Sequence, residues 1–294
     1  MTDKLFEQTK PQCIGRFLFD VPVSFNNAAV GQVKINEMRI TSKRLYPPAF
    51  AQRIRLREQE LKNSPTVSLI DQPFLKQVYR INDNAVIFDR NVNESVPGFG
   101  RVLEGHLYNN GVAFIVTTEV TDLSDPKYKK DREDYLNSGS KESDLNDKPQ
   151  KLAEMENLLS RLKGREDDEV PARPGVCIPD GFINDVDVIS KDVIDIIYNN
   201  DDFGLIINSD NTLRKSETLL ERAGEINTTL IRVGAHTLKK GAVKLPEING
   251  EEWLMKGKQD IYHPEEKSVS AYRFTFYGNE DVVDSRHPIF SVEL

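Results

Sequence analysis

The sequence predicts an α+β protein made of two tandem related modules, each an antiparallel sheet with helices packed on it. Three observations carry this. Pro11-Gln12-Cys13-Ile14-Gly15-Arg16-Phe17-Leu18-Phe19-Asp20 is echoed by Pro174-Gly175-Val176-Cys177-Ile178-Pro179-Asp180-Gly181-Phe182-Ile183, so a proline-led coil runs twice into Cys-Ile and a short apolar segment. Short alternating apolar runs punctuated by Asn, Asp and Gly follow each echo, as hairpin-linked strands do. Helix signals are few and lie between the strand runs. At 294 residues the chain exceeds a usual single core. The boundaries read as 1–164 for the first domain, which includes a helical segment at about 125–164, then 165–174 for a linker and 175–294 for the second domain.

Composition limits the function. Hydrophobic residues make up 38% and charged residues 29% of the chain, which supplies two modest cores and excludes a disordered protein. The net charge of −8 disfavours nucleic acid and anionic membranes, which need clustered Lys and Arg. It allows a basic protein partner. No apolar run is long enough to span a bilayer. The segment Met1–Gln8 has no apolar stretch of a signal peptide, which read literally places the chain in the cytoplasm. Cys13 and Cys177, the only cysteines, either close one bridge between the halves or stand as two buried thiols. A bridge would close a very long loop, worth about 4–5 kcal/mol in the chain-entropy view.

In the first module, Arg16–Phe25 reads as a strand broken at Pro22, and Gln32–Ile40 as a half-buried strand with a slip at Asn36-Glu37. Pro47-Pro48 opens a helix over Ala49–Asn63, with Phe50, Ile54 and Leu61 as its apolar stripe, and Ser64-Pro65 ends it. Thr66–Leu75 reads as a strand. Gln77–Ile81 pairs with Ala85–Asp89 across Asn82-Asp83-Asn84, and Arg101–Tyr108 with Val112–Val120 across Asn109-Asn110-Gly111, the strongest turn signal in the chain. Asp125–Gly164 is rich in polar residues and reads as helix, loop, helix, with Leu152, Met155, Leu159 and Leu162 on one face of the second helix. Arg165-Glu166-Asp167-Asp168-Glu169 reads as a solvated linker.

In the second module, Cys177–Asp187 reads as an opening strand. Val193–Tyr198 and Phe203–Ser209 read as strands around Asn199-Asn200-Asp201-Asp202. Ser216 is placed to cap a helix over Glu217–Gly224 with Leu219 and Leu220 inward. Leu230–Val233, Gly241–Leu245, Glu251–Lys256, Ser270–Tyr277 and Ile289–Leu294 read as strands, with Trp253 buried. The closing apolar alternation predicts an edge strand or a further C-terminal element.

No nucleophile elbow, phosphate-binding loop or metalloprotease helix occurs. The four histidines, His106, His236, His263 and His287, are scattered, and no metal-ligand spacing joins them. His106 reads as a strand residue in a half-exposed sheet and His287 as a turn residue. Asp201-Asp202 and Glu280-Asp281 lack calcium-loop spacing and read as hydrated turns. No catalytic, cofactor-binding or metal-binding residue is assigned. Acidic loop tips such as Asn199-Asn200-Asp201-Asp202-Phe203 would steer association with a basic surface. That tip and the hairpin tip Asn82-Asp83-Asn84 are the partner-binding candidates.

Three features together resemble the fourth class of type VI lipase immunity proteins. They are Cys13-Ile14-Gly15-Arg16-Phe17-Leu18-Phe19-Asp20-Val21-Pro22, Val176-Cys177-Ile178-Pro179-Asp180-Gly181-Phe182-Ile183, and Gly250-Glu251-Glu252-Trp253-Leu254 followed by Tyr272-Arg273-Phe274-Thr275-Phe276 and a last strand from Pro288. Leu103-Glu104-Gly105-His106-Leu107-Tyr108 is similar to the corresponding segment of the family's first domain. The resemblance implies two α+β domains that grip a toxin like a claw, and a non-enzymatic inhibitor of a cognate phospholipase effector with no cofactor and no small-molecule substrate. It also implies a periplasmic site of action, soluble or membrane-anchored, through an export signal that these residues do not contain. Two other readings stay open. One is an exported binding protein with a different protein partner; the other is an enzyme with a dispersed site that includes His106, His236 or His287.

Overall fold

The computed structural model describes residues 7–185, 190–200, 203–213, 217–246, 248–261, 267–281 and 287–294; the side chains of 26–30 are not considered. The described chain is an α+β fold of antiparallel strands and helices. It divides into two compact units, one of Ile35–Val186 and the other of Met1–Lys34 with Asp187–Leu294. These units differ from a division at 165–174, because the opening hairpin of each half packs with strands of the other half.

The unit of residues 35–186 contains β4 (Met38–Arg44), α1 (Pro47–Asn63), β5 (Leu75–Asn82), β6 (Ala85–Asn91), β7 (Gly100–Asn109) and β8 (Val112–Thr121), then α2 (Lys129–Asn137), α3 (Lys148–Arg161) and β9 (Leu162–Gly164). Its sheet runs in the order β4-β8-β7-β6-β5. Pairing sets which residues share a face. Val86 faces His106 and Phe88 faces Glu104 across β6 and β7, so these four lie together under α1, with Phe50, Ile54 and Leu61 in the same core. Gly105 points the other way. A Cβ there would meet Met155 Sδ and Leu159 of α3, so the missing side chain sets how closely α3 approaches. With a helix on each face, β6 and β7 are buried almost throughout. The Asn110-Gly111 turn forms as predicted, with φ of 47° and 79°.

Buried charge ties α3 to this sheet. Arg101 Nη1 lies 3.1 Å from Asp89 Oδ2 and 3.0 Å from Asp122 Oδ2, and Lys148 Nζ lies 2.6 Å from Asp122 Oδ2. β10 (Gly175–Ile178) and β11 (Gly181–Asn184) form a hairpin whose second strand pairs with β9. Gly181 sits against the Phe114 ring of β8, on the α3 side of the sheet.

The other unit contains the hairpin β1 (Thr9–Ile14) and β2 (Phe17–Pro22), then β3 (Asn26–Ile35), β12 (Asp192–Asn199), β13 (Gly204–Asp210), α4 (Ala223–Arg232), β14 (His236–Lys244), β15 (Asn249–Ile261), β16 (Lys267–Gly278) and β17 (Ile289–Glu293). Its sheet order is β14-β15-β16-β17-β13-β12-β3. The hairpin covers one face: Phe17 lies 4.4 Å and Phe19 5.9 Å from the Phe290 ring, and the Tyr198 hydroxyl donates to Gln12 Oε1 at 3.2 Å. Gly15 turns this hairpin at φ 57° directly over Ser209, where a Cβ would overlap that side chain. Glycine meets both demands at once. Trp253 is fully buried, as its strand position predicts, and its indole donates to Thr237 Oγ1 at 2.9 Å.

Several local expectations are corrected. The segment 66–74 is coil with a 3-10 turn at Leu69–Asp71, because Asp71 turns inward to accept from the Tyr128 hydroxyl and Gly98 N–H. Strand Gln32–Ile40 divides at Asn36-Glu37, where φ is positive at both residues. The helix expected at Glu217–Gly224 lies at Ala223–Arg232 and takes in most of Leu230–Val233, read as a strand; the capping role given to Ser216 lies outside the described residues. Where one strand is expected from Cys177, residues Gly175–Asn184 form a hairpin turned at Asp180 with φ 57°; the end of that expected strand lies outside the described residues. Arg165 is buried, not solvated, and its guanidinium donates to the carbonyls of Gly181, Glu166, Asp167 and Glu169. One guanidinium with several fixed donors thereby orders the whole loop. β17 is no edge strand, since it pairs with β13 and β16.

Candidate interaction surfaces

The tip Asn82-Asp83-Asn84 projects between β5 and β6. Asn84 N–H donates to Asn82 Oδ1 at 2.8 Å, and Tyr108 N–H donates to the Asn84 carbonyl at 2.8 Å. All three side chains are exposed. Asn82 and Asp83 also line a groove of about 260 Å³ against α1, with Phe50, Ile54 and Arg80. The side chains are therefore held out on a braced backbone, the form a docking contact requires.

The second tip lies in the other unit, and Asn199 and Asn200 belong to it. Asn199 pairs with Gly204. Phe203 N–H donates to Asn200 Oδ1 at 2.8 Å, and Asn200 N–H to the Phe203 carbonyl at 3.0 Å. The half-buried Phe203 ring packs 6.4 Å from that of buried Phe25, so it anchors its end of the tip. Asp201 and Asp202 lie outside the described residues.

A third feature escaped the sequence reading. Beside α1 is a groove of about 590 Å³ lined by Gln52, Arg53, Leu56, Arg57, Glu104 and His106 among others. At its floor Arg57 donates to both Glu104 oxygens at 2.8 Å, Arg90 donates at 2.6 Å, and His106 at 2.9 Å. Burial pushes the Glu104 carboxyl up, but the donors from Arg57, His106 and Arg90 outweigh it and hold it well below the usual carboxylate range. The hydrogen bond to Glu104 raises Arg57 in turn, although burial opposes it. A permanent carboxylate with its acceptors filled is a structural charge, suited to fixing α1 on the sheet and not to shuttling protons. A Glu inside the apolar run Val102–Leu107 was the available signal, since buried charge in a central strand demands partners.

His106 is buried with Glu104, a correction to its half-exposed reading, because α1 covers that face of the sheet. His236 and His287 are exposed in the other unit, and His263 lies outside the described residues. Among the described residues no group of three His, Cys, Asp or Glu could hold a metal ion. Glu280 is not a hydrated turn residue. It is buried and accepts from Leu219 N–H and from Arg222, both at 2.8 Å, and burial raises its carboxyl. No helix among the described residues is long and apolar enough to cross a membrane.

Two family models cover nearly all of this geometry. The Tle cognate immunity protein 4 N-terminal domain matches residues 10–165, and the C-terminal domain of the same family matches 169–294. The chain belongs to the Tle cognate immunity protein 4 family. It is thus an immunity protein of type VI secretion, whose partner is a cognate lipase effector. Solved structures agree in fold. The apo immunity protein TplEi of Pseudomonas aeruginosa is similar with a TM-score of 0.72 at 19% identity, over 97% of this chain and 86% of that one. The Tle4-Tli4 complex is similar with a TM-score of 0.72 at 17% identity, over 97% and 85%. TplEi complexed with "L" peptide gives 0.69 at 17% identity, over 98% and 86%. No curated protein matches this chain by sequence.

The Glu104 centre generates a prediction. Its folded-state pKa is depressed, so its contribution to stability is full above the ordinary carboxylate value of about 4.3 and is lost as pH falls through the folded value. Glu104→Gln leaves Arg57 and Arg90 facing a neutral amide and costs about 3 kcal/mol at neutral pH. Denaturant melts recorded from pH 7 down to acid will show a shallower loss of stability in this variant than in the wild-type chain. Parallel profiles would show that Glu104 makes no such contribution.

Proposed function

We propose that the protein is a non-enzymatic inhibitor that acts in the periplasm, binds its cognate phospholipase effector and prevents lipid hydrolysis, so protecting the cell that makes it and its kin. The observation that carries this reading is the consecutive match of both immunity-protein domain models along one chain. A solved relative in the Tle4-Tli4 complex supports a direct protein–protein mechanism, and the net charge of −8 supports electrostatic steering toward a basic partner surface. Inhibition of this kind needs a rigid surface that covers or locks the effector, and buried charge centres such as Glu104 with Arg57 and Arg90 supply that rigidity in place of catalysis.

Partner contact is assigned to the two tips, Asn82-Asp83-Asn84 and Asn199-Asn200-Asp201-Asp202-Phe203. A disulfide between Cys13 and Cys177 is assigned as the brace of the oxidised, exported protein. Both cysteines are buried and occupy matching positions in β1 and β10.

Co-expression with the cognate effector is expected to yield a stoichiometric complex with no phospholipase activity, while the effector alone hydrolyses lipid. Free effector activity in the presence of excess protein would overturn the reading. Charge reversal at the tips, as Asp83→Lys and as Asp201→Lys with Asp202→Lys, is expected to weaken binding about tenfold, a loss of about 1.4 kcal/mol. Unchanged affinity in both variants would remove the tips from the interface. Peptide mapping of periplasmic protein without reductant is expected to recover the Cys13 and Cys177 peptides as one linked species; two alkylated free cysteines would exclude the bridge.

A further inference from the structure

Strand β14 ends its sheet, and among the described residues no strand pairs with its outer side. Which of its backbone groups face outward follows from two hydrogen bonds. Leu245 N–H donates to the Ile248 carbonyl at 3.0 Å, which makes that pair a hydrogen-bonded one. Asn279 N–H donates to the Asn249 carbonyl at 2.9 Å, so Asn249 faces β16 and Gly250 faces β14. Antiparallel pairs alternate. Val243 with Gly250, Gly241 with Glu252 and Lys239 with Leu254 therefore exchange bonds, in the register observed. Lys240, Ala242 and Lys244 are left with N–H and C=O both directed away from the sheet.

This edge is open in a way that the edge of the other unit is not. β5 carries two register irregularities against β6, the bulges by which natural sheets close an edge. The run Lys239–Lys244 carries none, since the one shift in β14 lies before it, between Thr237 and Lys239. Gly241 and Ala242 keep the middle of the run free of bulk.

Charge selects what pairs there. Lys239, Lys240 and Lys244 fall within six residues of a chain whose net charge is −8. Lys239 is bridged to Glu252 and Lys240 lies over the Trp253 ring, so both are held beside the edge. A second copy pairing antiparallel about Ala242 would set Lys240 opposite Lys244 twice, and like charges directly opposed are unfavourable. An extended segment with acidic side chains meets the same positions with attraction, and its backbone finds the outward N–H and C=O groups in register.

We infer that β14 accepts an extended acidic segment of the cognate effector as an added strand. The inference rests on the inhibitor reading above and names a surface of that interface distinct from the two tips.

Ala242→Pro tests it in the full chain. Proline deletes the outward N–H at the centre of the edge and leaves the β14–β15 ladder intact, and edge strands accept proline at such positions. Binding of cognate effector is measured by calorimetry beside a thermal melt. The expected result is an unchanged melt with affinity reduced by about tenfold or more, since the centre of a main-chain ladder is lost. Ala242→Ser, which keeps the N–H, is expected to bind as the wild type does. Lys244→Glu gives an independent reading should the proline variant not fold, with an expected loss of similar size that grows at low salt. Wild-type affinity in folded Ala242→Pro, or in Lys244→Glu, overturns the inference. So does a wild-type dimer that Ala242→Pro makes monomeric, which would identify a second copy as the occupant. Effector inhibition by the wild type that persists undiminished in both variants overturns this inference alone. No binding by the wild type overturns the inhibitor reading and this one with it.

Discussion

Each half of the chain opens with a hairpin that is built into the compact unit formed mainly by the other half, and this exchange constrains the rest of the structure. The β1–β2 hairpin lies over β13 and β17 through Gly15, Phe17 and Phe19. The β10–β11 hairpin lies over β8 and pairs with β9 through Gly181, Phe182 and Ile183. Ile14, Val21, Val176, Ile178 and Ile183 are almost wholly buried in these positions. Each large apolar side chain so removed from water contributes about 1.5–3 kcal/mol, a sizeable amount beside the small net stability of an ordinary domain. Both family domains are continuous in sequence, whereas only one packing unit is: residues 35–186 form one stretch and the other unit is assembled from two.

Within the unit of residues 35–186, ionic centres set where the helices sit on the sheet. Glu104 gathers Arg57, Arg90 and His106 under α1, and Asp89 and Asp122 gather Arg101 and Lys148 at the start of α3. Such groups are costly to bury and contribute little net free energy when paired, yet removing one partner is expensive. Their effect is to fix which helix lies on which face. A protein whose task is to match another protein's surface gains from that, because fewer degrees of freedom are lost on binding.

Much of the fold was legible in the sequence where one local signal had no competitor. Asn110-Gly111 specified its hairpin, the stripe of Phe50, Ile54 and Leu61 specified α1, and the cysteine echo marked where each half opens, although its sequence reads as coil running into one strand and the structure forms a hairpin at each place. What failed depended on distant partners. Residues 66–74 looked like a strand because Val67, Leu69 and Ile70 are apolar, yet these three stay exposed while Asp71 goes inward to Tyr128 and Gly98. Arg165 looked solvated beside four acidic neighbours, but carbonyls of its own loop and of Gly181 claim its guanidinium. The exchange of hairpins was illegible, since nothing in a hairpin's own sequence says which sheet it will cover. The tips could be proposed from turn chemistry, whereas the β14 edge needed the register of two neighbouring strands.

The most direct test of this account compares two fragments, residues 35–186 and residues 1–164, by near-ultraviolet circular dichroism during a thermal melt. If the packing units govern folding, 35–186 melts cooperatively with an ordered aromatic signal, while 1–164, which carries one hairpin without its bed and a sheet without its covering hairpin, shows neither. A fragment 1–164 that folds and melts as cooperatively as the whole chain would contradict the account.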